Sequence, residues 1–375
     1  MIIGVPKESK DHENRVALTP SGVAALSRNS HRVLLQRGAG LGSGFSDDDY
    51  ASQGATIVDT AQDVYSSSDM VVKVKEPLGP EYEMMRPGLT LFAYLHLAAD
   101  PGLAKALLAN RVTALAYETV EDRTRALPLL APMSEIAGRI SIQIGAHYLE
   151  KQQGGKGKLL AGVPGVSPGT VVIVGAGMVG SNAALIALGL GAKVILLDTN
   201  IARLRQMEQT LSGHLVTSAA GIEATGEAVA EADLVIGGVL IPGARAPKVV
   251  TRDMIAHMTP GSVIIDVAVD QGGCIETCKP TTHSDPTFVV DGVVHYCVTN
   301  IPGAVPRTST EALCNVSLPY VEAIANLGLS QSLERDPVLA KGLNTYEGHV
   351  TNRAVADSLS LPFQSPESLG AFSPN

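Results

Sequence analysis

Residues 171–198 read VVIVGAGMVGSNAALIALGLGAKVILLD: an apolar run, three glycines at Gly175, Gly177 and Gly180, a helical run, a second apolar run and the carboxylate of Asp198. This order of strand, glycine turn, helix and strand constrains the chain more than any other feature. The first glycine makes a tight turn, the second lets backbone approach a pyrophosphate, and the third lets helix and strand pack closely. Met178 and Val179 stand between them at the head of the helix, where free N–H groups and the positive dipole end suit phosphate. Asp198 can accept hydrogen bonds from both ribose hydroxyls and repels a 2′-phosphate, so the stretch predicts an NAD-type dinucleotide site. Arg203 and Arg205 nearby carry the charge that a 2′-phosphate would want, which leaves the opposite preference open.

A second glycine run, GAGLGSGFSDDDY from Gly38, also follows a strand-like segment, but Ser43 stands where the third glycine should fall and Asp47, Asp48 and Asp49 lie just beyond. Those carboxylates would repel a phosphate, so a mobile loop or turn is expected there.

The chain has 375 residues, more than one hydrophobic core accommodates, which favours two domains. Short β-rich runs (IIGV, VLLQ, MVVKVK, LTLFAYL, VTALAY, then VVIVG, KVILLD, DLVIGG, SVIIDVA, HYCVT) alternate with helical ones. That alternation predicts an α/β protein of two domains, each with a mostly parallel sheet flanked by helices. Thr19 before Pro20 reads as an N-cap and first helical turn, and a long helix is expected from Met133 to the glycines at 154 and 155. Beyond residue 305, TSTEALCNVSLPYVEAIANLG and NTYEGHVTNRAVADSL read as helical without strands. The expected division is a discontinuous substrate and catalytic domain, 1–132 with 305–375, interrupted by a Rossmann NAD-binding domain, 133–304.

A net charge of −9, with no Lys/Arg block, argues against a nucleic-acid partner. The opening MIIGVPKESK lacks a signal-peptide pattern and no apolar run reaches membrane-spanning length, so the cytoplasm, with no membrane partner, is the expectation. Cys274 and Cys278, with His283, His295 and Cys297 downstream, lack the second tight pair of a structural zinc site, and no metal is expected.

Four polar residues at or near strand ends stand out. Arg15 lies in a polar loop, where it is either a solvated surface residue or a bidentate partner for a carboxylate. Lys73 and Lys75 share one face of MVVKVK, and one of them can simply snorkel. His96 closes LTLFAYL, as a core histidine with a backbone partner or as an acid and base. Asp270 follows SVIIDVAV and precedes Gly272 and Gly273, whereas Asp266 lies inside that strand and is the poorer candidate.

MIIGVPKESKDHENRVALTP, VKVKEP, LFAYLHLA, APMSEIAGR, GAGMVG, IDVAVDQGG and NIPGAVPRTST together resemble the alanine dehydrogenases, relatives of the NAD-binding part of proton-translocating transhydrogenase. The resemblance runs from residue 1 to about 360. It implies reversible oxidative deamination of L-alanine by NAD to pyruvate and ammonium in a homo-hexamer. It further implies that Arg15 and Lys75 hold the substrate carboxylate, with Lys75 able to polarise the carbonyl. His96 then exchanges a proton with a carbinolamine hydroxyl, and Asp270 positions ammonium or water and relays a proton. Met133 and Ser134 approach the cofactor, Val239 and Leu240 border the nucleotide, and Asn300 with Ile301 lies near the nicotinamide. Arg203 and Val267 complete the implied cofactor set. Ile301 replaces a methionine common in relatives, and Lys279 replaces an arginine. Two other readings stay open: the NAD-binding subunit of a transhydrogenase-like complex, and a non-catalytic nucleotide-binding module.

Overall fold

The computed structural model describes residues 1–239, 246–269 and 272–372. The chain divides into two units, Met1–Met133 with Val305–Asn375, and Ser134–Ala304. Each is a sheet with helices, and both sheets are mostly parallel.

In the first unit the strands β1 (Ile2–Val5), β2 (Arg32–Gln36), β3 (Ala55–Val58), β4 (Met70–Val72), β5 (Thr90–Ala93) and β6 (Thr113–Ala116) run parallel. Their spatial order is β6-β5-β4-β1-β2-β3. The chain therefore winds outward from β1 in one direction and, after β3, returns to build from β4 in the other. The point between β1 and β4 is a topological switch, where loops after neighbouring strands diverge and leave a crevice at the carboxyl edge. Apolar strand residues such as Leu91, Ala93 and Ala114 pack with Leu103 and Leu107 from the helix Pro101–Ala109 in a buried core.

The segment beyond residue 305 departs from expectation. After the helix Pro306–Leu327, the residues NTYEGHV form an antiparallel hairpin, Leu343–Tyr346 and His349–Val350, that extends the first sheet beside β6. Its two-residue turn is Glu347–Gly348, both at positive φ. Such turns usually advertise themselves as Asn-Gly or Asp-Gly, so Glu-Gly hid this one. The long helix is Ala131–Tyr148 rather than a run to residue 154, and a 3₁₀ turn, Lys151–Gln153, closes on Gly154 at φ +90°. The Gly38 run holds a turn, as one of the two expectations had it: a 3₁₀ turn Leu41–Ser43 precedes the short helix Asp47–Ala51, capped reciprocally by Ser46 and Asp49.

In the second unit, β7 (Thr170–Val174), β8 (Lys193–Asp198), β9 (Leu215–Ala219), β10 (Leu234–Gly237), β11 (Val263–Asp266) and β13 (Val293–Tyr296) are parallel, with β12 (Thr287–Val290) antiparallel at the edge. The order β12-β13-β11-β10-β7-β8-β9 places its switch between β7 and β10. Among the described residues no helix is long and apolar enough to cross a membrane.

Two lysines separate here. Lys73, just past β4, has no exposed surface and ion-pairs with Glu8 at 3.2 Å and Glu81 at 3.0 Å. Burial alone would discharge this amine, but the two carboxylates hold it above its ordinary pKa. Glu81 also accepts from the hydroxyls of Tyr65 and Ser9, both at 2.9 Å. Replacing Lys73 with methionine should strand two buried carboxylates and cost about 3–5 kcal/mol. Lys75→Met should cost clearly less. Urea unfolding of both variants tests this, and equal losses would contradict the division of roles.

Candidate active site

The residues singled out in the first unit gather at the carboxyl edge of its sheet, after β1, β4 and β5. Arg15 lies in the loop after β1. It is buried, 2% exposed, which removes the solvated-surface alternative. Glu13, equally buried, accepts from its Nε at 2.7 Å and its Nη2 at 2.6 Å. Burial works against the Arg15 charge, but Glu13's hydrogen bonds and charge prevail and hold its pKa above the ordinary value. The remaining Nη1 donates to Met133 Sδ at 3.1 Å. The loop is fixed from behind: Val16 N donates to Thr310 Oγ1 at 3.0 Å, and Ser43 Oγ bonds both Thr310 Oγ1 and the Asn14 carbonyl.

Lys75 follows β4, 9% exposed. Its approach is set by Glu8, which accepts from Val74 N at 2.7 Å and Lys75 N at 3.4 Å. Burial pushes the Glu8 carboxyl above the usual carboxylate range, against the pull of Lys73. His96 lies beyond β5 in the left-handed region, φ +49°, with its side chain exposed between buried Leu95 and Leu97. A core histidine is thereby ruled out. Its ring stacks on Tyr94, centroids 6.2 Å apart and planes 9° apart.

In the second unit the glycine motif behaves as its chemistry requires. Gly175 turns at φ +99°, and a Cβ on Gly180 would lie 1.8 Å from the Gly175 carbonyl oxygen. A Cβ on Gly177 would meet nothing within 4 Å, and no side chain caps the helix Met178–Gly189 behind it. Open space over an uncapped helix N-terminus fits a pyrophosphate. Met178 is exposed and Val179 half-buried at that end. The Asp198 carboxylate accepts from Ala176 N and Asn200 N, both at 2.7 Å. Arg203 donates from Nε to the Ala176 carbonyl at 2.7 Å. Carboxylate and guanidinium thus grip the same residue of the loop from its two flanking peptides.

The other described residues expected around the cofactor lie after parallel strands or on the long helix. Val239 follows β10, and Val267 follows β11 with its N–H on the Gly237 carbonyl. Asn300 stands at φ +66° after β13, and Ile301 is buried. Ser134 is half-buried in the helix Ala131–Tyr148. Leu240 and Asp270 lie outside the described residues. Asp266 is fully buried, accepting from Ala268 N and Ile275 N, which suits a structural carboxylate. Beside it, Lys248 donates to the carbonyls of Gly272, Gly273 and Ile275 at 2.6–3.1 Å. Lys248 also borders a cavity of about 600 Å³ with Val269, Glu276, Cys278 and Lys279, whose ammonium sits 4.8 Å over Phe288.

Among the described residues, no group of three or more His, Cys, Asp or Glu side chains is placed to hold a metal ion. His295 bonds Thr277 and the Val293 carbonyl, and His283 bonds the Asn300 carbonyl. Burial, with a push from Asp266, raises the Cys274 thiol to about 12, far from a reactive thiolate.

Family models described as "Alanine dehydrogenase/PNT, N-terminal domain" and "C-terminal domain" match residues 4–137 and 141–353. The chain belongs to this alanine dehydrogenase/PNT family. Alanine dehydrogenase of Bacillus subtilis is 57% identical over 97% of this chain and 96% of that protein. That of Methanococcus maripaludis is 55% identical over 98% and 99%. A solved L-alanine dehydrogenase superposes with TM-score 0.93 at 52% identity, covering 96% of this chain and 99% of that one. A transhydrogenase from Sinorhizobium meliloti gives 0.80 at 27% identity, covering 94% and 100%.

Within this family member, three carboxylates went unnoticed in the sequence: Glu8, Glu13 and Glu118. Each lies behind a candidate residue rather than in a motif of its own. Only the local pairing of Glu13 with Arg15 two positions on could have signalled one of them.

If Asp198, which holds the loop, also binds the ribose, Asp198→Ala should weaken NADH binding by about tenfold or more, the scale of lost hydrogen bonds to a charged group. It should also narrow the preference over NADPH. Fluorescence titration with both nucleotides measures this, and an unchanged ratio would count against the ribose assignment.

Proposed function

We propose that this chain catalyses the reversible, NAD-dependent oxidative deamination of L-alanine to pyruvate and ammonium. Identity of 55–57% to alanine dehydrogenases across nearly the whole chain carries the reading. The buried, preoriented Arg15 at a switch-point edge supports it. A transhydrogenase subunit has weaker support, because that likeness falls to 27% identity. By the same resemblance the reading extends to a homo-hexamer in the cytoplasm, which light scattering and cell fractionation test.

In this reading Arg15 and Lys75 bind the substrate carboxylate. Glu13 occupies one edge of the guanidinium, so the charge is aimed by a fixed fork rather than by a flexible side chain. Lys75 stands on the next strand end and can polarise the substrate carbonyl. His96 takes the proton from the carbinolamine hydroxyl as pyruvate forms and returns it in the reverse direction. Asp270 orients the attacking water or ammonium. Gly175, Gly177, Gly180, Asp198 and Arg203 present the dinucleotide loop, with Ser134, Met178, Val179, Val239, Leu240, Val267, Asn300 and Ile301 around the rest of the cofactor. When bound, NAD accepts hydride from the α-carbon of alanine.

The test is NADH formation by the purified protein alone, across alanine, serine, glycine and lysine. Alanine should be turned over without any partner chain; silence with all four would defeat the proposal. His96→Ala and His96→Asn should each lose roughly a hundredfold or more in turnover, the span of a missing general acid/base, and bind NADH normally. Lys75→Ala should raise the KM for pyruvate by about tenfold or more while sparing NADH affinity. Arg15→Ala should do the same and also destabilise the fold, since it strands Glu13.

A further inference from the structure

The backbone that carries His96 is held by a residue outside every motif above. β5 ends at Ala93, and three residues later the chain turns through His96 at φ +49°, a conformation that residues with a side chain adopt only under constraint. The constraint is Glu118, in the 3₁₀ turn Tyr117–Thr119 after the neighbouring strand β6. Its carboxylate accepts from His96 N at 2.6 Å and from Leu95 N at 3.2 Å through each oxygen. Two successive amides converging on one anion form the concave arrangement that a left-handed residue creates. The His96 carbonyl in turn accepts from Ala99 N at 2.9 Å and starts the turn Leu97–Ala99.

We propose that Glu118 is the positioning residue for His96: its carboxylate fixes the left-handed turn that projects the imidazole outward, parallel to Tyr94, and so sets where the proton is exchanged. This rests on the reading of His96 as the acid and base. Glu118 acts through the backbone, so its effect should appear in turnover and not in ligand binding. The ring direction of His96 follows from its own φ and from the Tyr94 face. Without the anion, nothing on the neighbouring turn opposes relaxation of residues 95–96 toward an extended backbone, which would swing the ring away.

The experiment uses the full-length protein carrying Glu118→Gln or Glu118→Ala, each alone and combined with His96→Ala. Glutamine keeps the size and one acceptor but turns an N–H donor toward a backbone N–H. Alone, Glu118→Ala should lower kcat by about a hundredfold and Glu118→Gln by about tenfold, the scale of a small misplacement of a catalytic group. KM for alanine and pyruvate and NADH affinity should stay within about twofold. Added to His96→Ala, Glu118→Ala should cause no further loss, because its effect passes through the missing ring. An equal loss in both backgrounds would overturn the proposal in favour of an independent role. So would variants with a lowered melting temperature but wild-type turnover below it. If His96→Ala itself kept full activity, the acid/base reading would fall and the positioning role with it. An inactive His96→Ala beside fully active Glu118 variants would overturn the positioning role alone.

Discussion

The buried contact of Lys73 with Glu8 and Glu81 is the constraint on which the first unit's edge depends. Glu8 leaves the loop after β1, Lys73 leaves β4, and Glu81 comes from the helix Gly79–Tyr82, so one ammonium joins three separate segments at the switch point. A hydrophobic replacement could fill the same space, but it could not orient the peptide that follows. The same Glu8 that meets Lys73 also receives the N–H groups of Val74 and Lys75, so the ion cluster dictates where the next lysine emerges. Buried charge of this kind contributes geometry more than stability.

Carboxylates recur in that capacity. Glu13 grips the Arg15 guanidinium, Glu8 the backbone before Lys75, Glu118 the backbone at His96, and, in the second unit, Asp198 the glycine loop. In the first unit Glu13, Glu8 and Glu118 thus stand behind Arg15, the peptide of Lys75 and the peptide of His96. Glu13 in particular fixes the direction of the Arg15 fork by taking two of its donors.

Much of the design was legible in the sequence. The β7 to β8 segment announced its turn, helix and acid through residue types that each have one physical use there, and Thr19–Pro20 announced a helix start. Lys75 and His96 stood out as polar residues closing apolar runs, and Arg15 as a cation in a polar loop. What stayed hidden has two causes. An edge strand with no fully buried residue, such as β3, shows no apolar run, and the hairpin at 343–350 turns on a Glu-Gly pair that gives no turn signal. Glu8, Glu13 and Glu118 act across strand neighbours, and pairing β5 with β6 is a tertiary fact that no spacing encodes. Lys73 and Lys75 share a face by alternation, yet burial alone separates them, and burial depends on where Glu81 comes to lie.

The hydroxyl of Thr310 secures Val16 from 294 positions downstream. Because the first unit is completed by Val305–Asn375, the peptide beside Arg15 has no anchor until nearly the whole polypeptide has left the ribosome. The second unit, Ser134–Ala304, is continuous and can close its sheet earlier in synthesis. The order of manufacture therefore runs from the nucleotide loop to the segment around Arg15, and truncation just after Ala304, ahead of the helix Pro306–Leu327, leaves a chain with every residue of the former's unit and without the latter's anchor.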